Sequence, residues 1–263
     1  MDLLRKSLAP ITDAAWEEIN EQASTSLKNF LTARNVVDID GPNGWDYTSV
    51  AQGRLTIKTS DPKKVRHGVF QVLPLVETRR TFVLDSWELD NAVRGAEDVD
   101  LGALEDAAKE IALFEEKAIY YGLEDANIPG LVNSSEFENM TVGEDPKQLV
   151  AALSDALMRF QQNAIEGPFH FVVSQKVWKM LSEYEKGYPV RKVVENMIGG
   201  KVILNSENKH SFLMSGRGGD FKLSVGQDYS IGYESHSNIE VELFFAATFT
   251  FQVLEPKALI VME

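Results

Sequence analysis

One stretch restricts what this 263-residue chain can fold into more than any other. From about Tyr47 to Phe82 the residues alternate with period two, Leu55 and Ile57 against Arg54, Thr56 and Lys58, as strand residues do. Asp61-Pro62-Lys63-Lys64 makes a charged turn. Val69, Val72 and Leu75 begin the return, which runs on through Val76-Glu77-Thr78-Arg79-Arg80-Thr81-Phe82. The pattern reads as a long two-stranded arm with many charges and little to bury. A lone hairpin is marginal in water, so this one needs something else to pack on.

The flanking sequence is ordinary globular material. Trp16, Ile19, Ala23, Leu27, Phe30 and Leu31 recur at spacings of three and four, which predicts a helix from about Thr12 to Ala33 with Thr12 or Asp13 as its cap. Leu104, Ala108, Ile111, Ala112, Ala118 and Ile119 predict a second over about Leu101–Gly122. Asp145-Pro146-Lys147-Gln148 is a helix start with a cap, a first-turn proline and a capping-box glutamine. His170–Val173 reads as a buried strand, Ser174 as a helix cap, and Pro189 to Gly199-Gly200 as a further helix with a glycine stop. Short strands follow at Val202–Leu204, Phe212–Met214 and Phe221–Leu223. Ile239–Val253 alternates clearly, and Ala258–Met262 reads as a docked terminal strand. The class is α+β.

Composition excludes several functions. Hydrophobic residues make up 44% and charged residues 25%, which rules out wholesale disorder. There is no cysteine, so a disulfide scaffold, a thiolate metal site, an iron–sulfur cluster and a cysteine nucleophile are all out. A net charge of −14 argues against binding nucleic-acid backbone as the main task. No segment approaches the roughly 18 apolar residues of a membrane span. Met1–Lys6 leads into Ser7 and Pro10 without an apolar core, so no signal peptide is expected and the sequons at Asn133 and Asn139 read as chance.

Catalytic constellations are missing. None of His67, His170, His210 and His236 sits in a His-Glu-x-x-His pattern. Glu207-Asn208-Lys209-His210 has the Glu-x-x-His spacing once, between strands, where a surface loop is expected. Gly216–Asp220 lies between strands and reads as a tight turn rather than a phosphate loop. No Gly-x-Ser-x-Gly elbow occurs. Asp38 and Asp40 fall on one strand face beside a turn and read as solvated. No metal site and no catalysis are expected.

An ordered set of motifs then carries a resemblance over essentially the whole chain. It comprises Leu8-Ala9-Pro10-Ile11-Thr12 with Trp16–Ile19, Arg34 with Val37-Asp38 and Gly41-Pro42, Phe82–Asn91, Arg94-Gly95, Ile165–Pro168, Gly187-Tyr188-Pro189, Arg217–Leu223, Gly226–Tyr233 and Thr248–Phe251. In these the chain resembles the family 1 encapsulins, also called linocin-type bacteriocins. The resemblance implies the Hong Kong 97 type tailed-phage capsid fold. Residues 1–48 would be the N-terminal helix and arm of a peripheral domain and 49–81 the extended loop. Residues 82–133 would hold the peripheral spine helix, 134–220 the axial domain, and 221–263 the return strands and C-terminal strand. The function implied is a cytoplasmic icosahedral shell, of 60 copies by length, that encloses a ferritin-like protein or a dye-decolorising peroxidase for iron storage or oxidative stress defence.

The resemblance also assigns residues. A cargo enzyme's C-terminal targeting peptide would dock among Leu27, Phe30, Arg34, Val37, Asp38, Ile231, Gly232 and Tyr233. No cofactor is required, but a flavin (FMN) would stack on Trp87 with Arg79 and Arg80 nearby, the alternative being that Trp87 packs at a subunit contact. Glu183-Tyr184-Glu185-Lys186-Gly187-Tyr188 would line a five-fold pore passing small ions. Two other functions compete: a secreted bacteriocin or protease, and a phage-like capsid that packages nucleic acid. The lack of a leader and of a catalytic set speaks against the first, and the acid excess against the second.

Overall fold

The computed structural model describes residues 3–59, 61, 63–185 and 187–263, without the side chain of Glu185. In chain order the elements are α1 (Asp13–Phe30), β1 (Asp38–Asp40), β2 (Ser49–Thr59), β3 (His67–Pro74), β4 (Val76–Asp85), α2 (Ser86–Arg94), α3 (Gly102–Tyr121), α4 (Pro146–Gln162), β5 (Phe169–Val173), α5 (Gln175–Leu181), β6 (Tyr184–Glu185), β7 (Tyr188–Pro189), α6 (Val190–Ile198), β8 (Val202–Leu204), β9 (Ser211–Ser215), β10 (Phe221–Val225), β11 (Ser230–His236), β12 (Glu240–Val253) and β13 (Leu259–Met262).

Local chemistry sets the helix ends. Thr12 Oγ1 accepts the amide of Ala15 and starts α1. Asp145 accepts the amides of Lys147 and Gln148 ahead of Pro146 and starts α4. Asp85 does the same for Trp87 and Glu88, and Gly95, at φ +88°, closes α2. The first helix stops at Phe30, short of the Ala33 expected from its stripe, because Leu31 leaves helical backbone and a separate 3-10 turn follows at Ala33–Asn35.

Among the described residues two sheets carry the fold. One runs β1-β10-β12-β11, with β4 on the other side of β12, and the other runs β13-β9-β5-β8. The strand β12 is the backbone of the first, pairing β4 along Glu240–Phe249 and, on its opposite edge, β11 and then β10. Its alternation predicted one buried face, yet Leu243–Phe251 is buried throughout. It joins two cores: Val241, Leu243 and Phe245 pack with α1, α2 and the first half of α3, whereas Phe249 and Phe251 pack with the last turns of α3, α4 and the second sheet. Helix α3 is shared in the same way, Leu104–Ala112 in one core and Ala118–Tyr120 in the other.

Two boundaries differ from the sequence expectation. The arm ends at Pro74, not Thr81, because β4 leaves it to pair with β12; Phe82 and Leu84 are apolar enough to anchor that strand in the core. The C-terminal strand β13 joins β9 in the second sheet rather than the sheet of β10–β12, and all four of its side chains are buried there.

The arm itself is β2 paired with β3, Leu55 opposite Phe70 and Ile57 opposite Gly68. Opposed residues point to the same side, so Leu55, Ile57 and Phe70 share one face, while Thr56, Lys58, Val69 and Gln71 share the other. Phe70 is 77% exposed and Ile57 61%.

Candidate functional site

Helix α1 and strand β11 bound a groove of about 370 Å³. Ala23, Leu27 and Leu31 give one wall, Ile231 the other and Phe245 the floor, with Lys6 and Lys28 at its rim. Tyr233 N donates to Leu4 O at 2.8 Å, which holds the N-terminal segment along β11 beside the opening.

One end of the groove is closed by a charged cluster. Arg34 donates from Nε and Nη2 to the two carboxylate oxygens of Glu115, at 2.7 and 2.8 Å, and from Nη1 to Asp228 Oδ1 at 2.9 Å. Its guanidinium carbon lies 5.0 Å from the centre of the Tyr229 ring. Burial disfavours the cation, but the two carboxylates outweigh it and raise the arginine pKa further, so Arg34 is always charged. Glu115 is 0% exposed. Glu116, next to it, accepts the Ala33 amide at 2.9 Å, Asn205 Nδ2 at 2.9 Å and the Thr32 hydroxyl. These two glutamates sit on α3 where one core gives way to the other, and tie the turn after α1 to the loop after β8.

Burial pushes the Glu116 carboxyl up to about 7, against hydrogen bonds from Thr32 and Ala33 that favour its anion. A raised acid pKa means that the folded state holds the proton more tightly. The contribution of Glu116 to stability is therefore full below the ordinary value of 4.5 and is lost as pH rises through about 7. The full loss is about 3 kcal/mol. Glu116→Gln keeps the shape and cannot titrate. Its urea midpoint should shift less than the wild type's between pH 5 and pH 8, and an unchanged pH dependence would show that Glu116 is not the group responsible.

The residues expected to bind peptide do not all meet. Leu27, Arg34 and Ile231 line the groove. Phe30 is half-buried beside it, with the Lys109 ammonium 5.6 Å from its ring. Gly232 faces away, because alternate residues of a strand point to opposite sides; a Cβ there would come within 2.2 Å of the Phe244 ring. Tyr233 is buried in the core, its hydroxyl paired with His236 Nδ1. Val37 and Asp38 line a separate small cleft with His170, where Asp38 Oδ2 accepts the Gly219 amide at 2.6 Å. Asp228, Glu115 and Leu31 were not foreseen. Glu115 was detectable, since Ile111, Glu115 and Ile119 are spaced by four and place a carboxylate on the apolar stripe.

The flavin set does not converge in one chain. Six strand steps separate Arg79 from Asp85, about 20 Å at roughly 3.3 Å each. Trp87 lies beyond, 70% exposed at the start of α2. The Arg79 guanidinium covers the Phe244 ring at 4.7 Å, and Arg80 pairs with Glu110. These residues of a single chain do not form a flavin cradle.

The expected pore loop is the hairpin of β6 and β7, with Glu185 opposite Tyr188 and Gly187 at φ +79° in its turn. Tyr184 and Tyr188 are exposed, and Val190 N closes the loop on Glu183 O at 3.1 Å. Lys186 and the side chain of Glu185 lie outside the described residues.

The Linocin_M18 family model, described as an encapsulating protein for peroxidase, matches residues 1–250. The type 1 encapsulin shell protein of Mycobacterium tuberculosis is 35% identical over 256 residues, covering 95% of each chain. That of Rhodococcus erythropolis is 34% identical over 262 residues, covering 99% of each. The chain belongs to the type 1 encapsulin shell proteins. Its fold matches the virus-like particle from Pyrococcus furiosus with a TM-score of 0.66, at 18% identity over 94% of this chain and 98% of that one. It matches the capsid of Myoviridae phage XM1 at 0.60, with 14% identity over 88% and 91%. The encapsulin thus has the phage-capsid fold that the resemblance implied, and the two-stranded arm contributes no residue to either core.

Proposed function

We propose that this encapsulin subunit assembles into a closed 60-copy shell in the cytoplasm, and that its α1–β11 groove takes up the C-terminal targeting peptide of a cargo enzyme. The chemistry belongs to the cargo, a peroxidase or a ferritin-like iron oxidase, and the shell confines it for stress defence or iron storage. The observation that carries peptide uptake is the groove: Leu27, Leu31 and Ile231 offer an apolar slot beside β11, with a charged end at Arg34 and Asp228. That arrangement suits a short peptide with apolar side chains and a polar terminus. The peroxidase alternative is supported by the description of the matching family. The contact surface of the groove is narrower than the residue set implied by resemblance, since Val37, Asp38, Gly232 and Tyr233 lie elsewhere. Flavin is not included, because Trp87, Arg79 and Arg80 do not converge.

Ser24 lines the groove from a half-exposed turn of α1. Ser24→Trp should fill it without disturbing the core. Intact shells of this variant should load a reporter tagged with the targeting peptide at least about tenfold less than wild type, the equivalent of roughly 1.4 kcal/mol. Undiminished loading of intact Ser24→Trp shells would place the peptide elsewhere.

A further inference from the structure

A second cavity, of about 580 Å³, opens between the C-terminal half of α3 and the loop that joins β8 to β9. Its volume falls within the roughly 300–1,000 Å³ of small-molecule sites. Leu113 and the ring of Tyr121 give it an apolar wall, with the His210 ring 6.0 Å from that of Tyr121 between centres. Lys117 and Lys209 stand at its edge, both exposed and neither in an ion pair among the described residues. Two unpaired ammonium groups beside an apolar wall are unexpected in a chain of net charge −14.

Two further lining residues have unmet hydrogen-bonding capacity. Asn208 is 7% exposed, and its Nδ2 has no partner among the described residues. The same holds for His210 Nδ1. Backbone bonds fix the loop here: Asn208 N donates to Asn205 Oδ1 at 3.2 Å, and Lys209 N donates to the Tyr121 hydroxyl at 2.8 Å. His210 Nε2 faces Glu263 Oε1 at 3.4 Å; with a hydrogen on Nε2 directed to that carboxylate, Nδ1 is the atom left to accept. Buried polar atoms are seldom left without a partner, because the desolvation is uncompensated. Of the two acidic lining residues, only Glu207 shares the solvent-exposed edge with the lysines. Glu116 turns its oxygens to Thr32, Ala33 and Asn205, and Glu207 is exposed.

We propose that this cavity binds a small amphiphilic organic anion, an aryl carboxylate with a hydroxyl on the ring position away from its carboxyl group. The ring lies against Leu113 and Tyr121. The carboxylate faces Lys117 and Lys209, the hydroxyl donates to His210 Nδ1, and Asn208 Nδ2 donates to a ligand oxygen. Benzoate-sized molecules underfill the volume, so two fused rings suit it better.

The probe is 6-hydroxy-2-naphthoate, titrated into the purified full-length protein and followed by its own fluorescence and by calorimetry. One equivalent per chain should bind saturably. The double variant Lys117→Glu, Lys209→Glu, whose sites are exposed, should keep the wild-type unfolding curve and bind at least about tenfold more weakly. 2-Naphthol, which lacks the carboxylate, and 2-naphthoate, which lacks the donor, should each bind less tightly than the probe. Asn208→Leu should weaken the probe more than it weakens 2-naphthol. Absence of saturation below about 1 mM would overturn the proposal. So would binding unaffected by the lysine variants, or equal binding of the probe and 2-naphthol, since either would mark mere adhesion to apolar surface.

Discussion

Aspartate at both Ile57 and Phe70 should abolish shell formation while leaving the subunit folded. Ile57 and Phe70 lie on the apolar face of the arm, and neither belongs to a core. Each such side chain gains roughly 1.5–3 kcal/mol when taken out of water. Two of them per arm give about 3–6 kcal/mol for each contact, repeated at every copy in the shell. A carboxylate in their place loses that gain and adds a charge that must be desolvated. It also adds to the repulsion among chains that already carry −14 each. The variant should elute as a small species in size-exclusion chromatography and show no particles by electron microscopy, with wild-type circular dichroism. Normal shells from this variant would mean that the arm does not make the contact. Wild-type assembly should also weaken at low ionic strength, where the repulsion is least screened.

The arm was legible in the sequence because it violates a local rule: apolar residues alternate along a hairpin that has no core of its own. The long helices were legible for the opposite reason. Ile19, Ala23 and Leu27 on α1, and Leu104, Ala108 and Ala112 on α3, satisfy the helical period and are buried as it demands. What stayed hidden depends on tertiary partners. Nothing local distinguishes β4 from the strands of the arm; only its ladder with β12 does, and that partner lies more than 150 positions away. The burial of β12 on both faces is not in its own alternation: α1 and α3 cover the face of Leu243 and Phe245, while the Arg79 guanidinium lies over Phe244 on the other. In the groove, Ile231 lines the wall from β11, but strand period two sends Gly232 to the opposite side. The resemblance put Val37 and Asp38 with Arg34, whereas the chain turns at Val36 and carries them to the cleft beside His170. The Glu115–Arg34 pair was the one hidden feature with a readable trace, a carboxylate on an otherwise apolar helix stripe.

That pair carries the second large expectation. Arg34→Ala should destabilise the subunit by about 3–5 kcal/mol, because it leaves the fully buried Glu115 carboxylate without its counter-charge. Loss of the Asp228 contact contributes little beside this, since Asp228 is half-exposed and solvent can replace the partner. Arg34→Lys keeps the charge but cannot reproduce the two parallel hydrogen bonds to Glu115, and should fall between wild type and alanine. If the loss comes from the stranded carboxylate and not from packing, removing both charges should restore stability. Arg34→Met with Glu115→Leu should regain most of what Arg34→Ala loses. Urea unfolding measures all of these, in the Ile57→Asp, Phe70→Asp background so that assembly does not mask the subunit's own equilibrium. The midpoint should move and the slope should not. An Arg34→Ala midpoint equal to wild type would make Arg34 a groove residue alone. A double replacement no more stable than Arg34→Ala would show that the apolar side chains cannot pack in the space the ion pair fills.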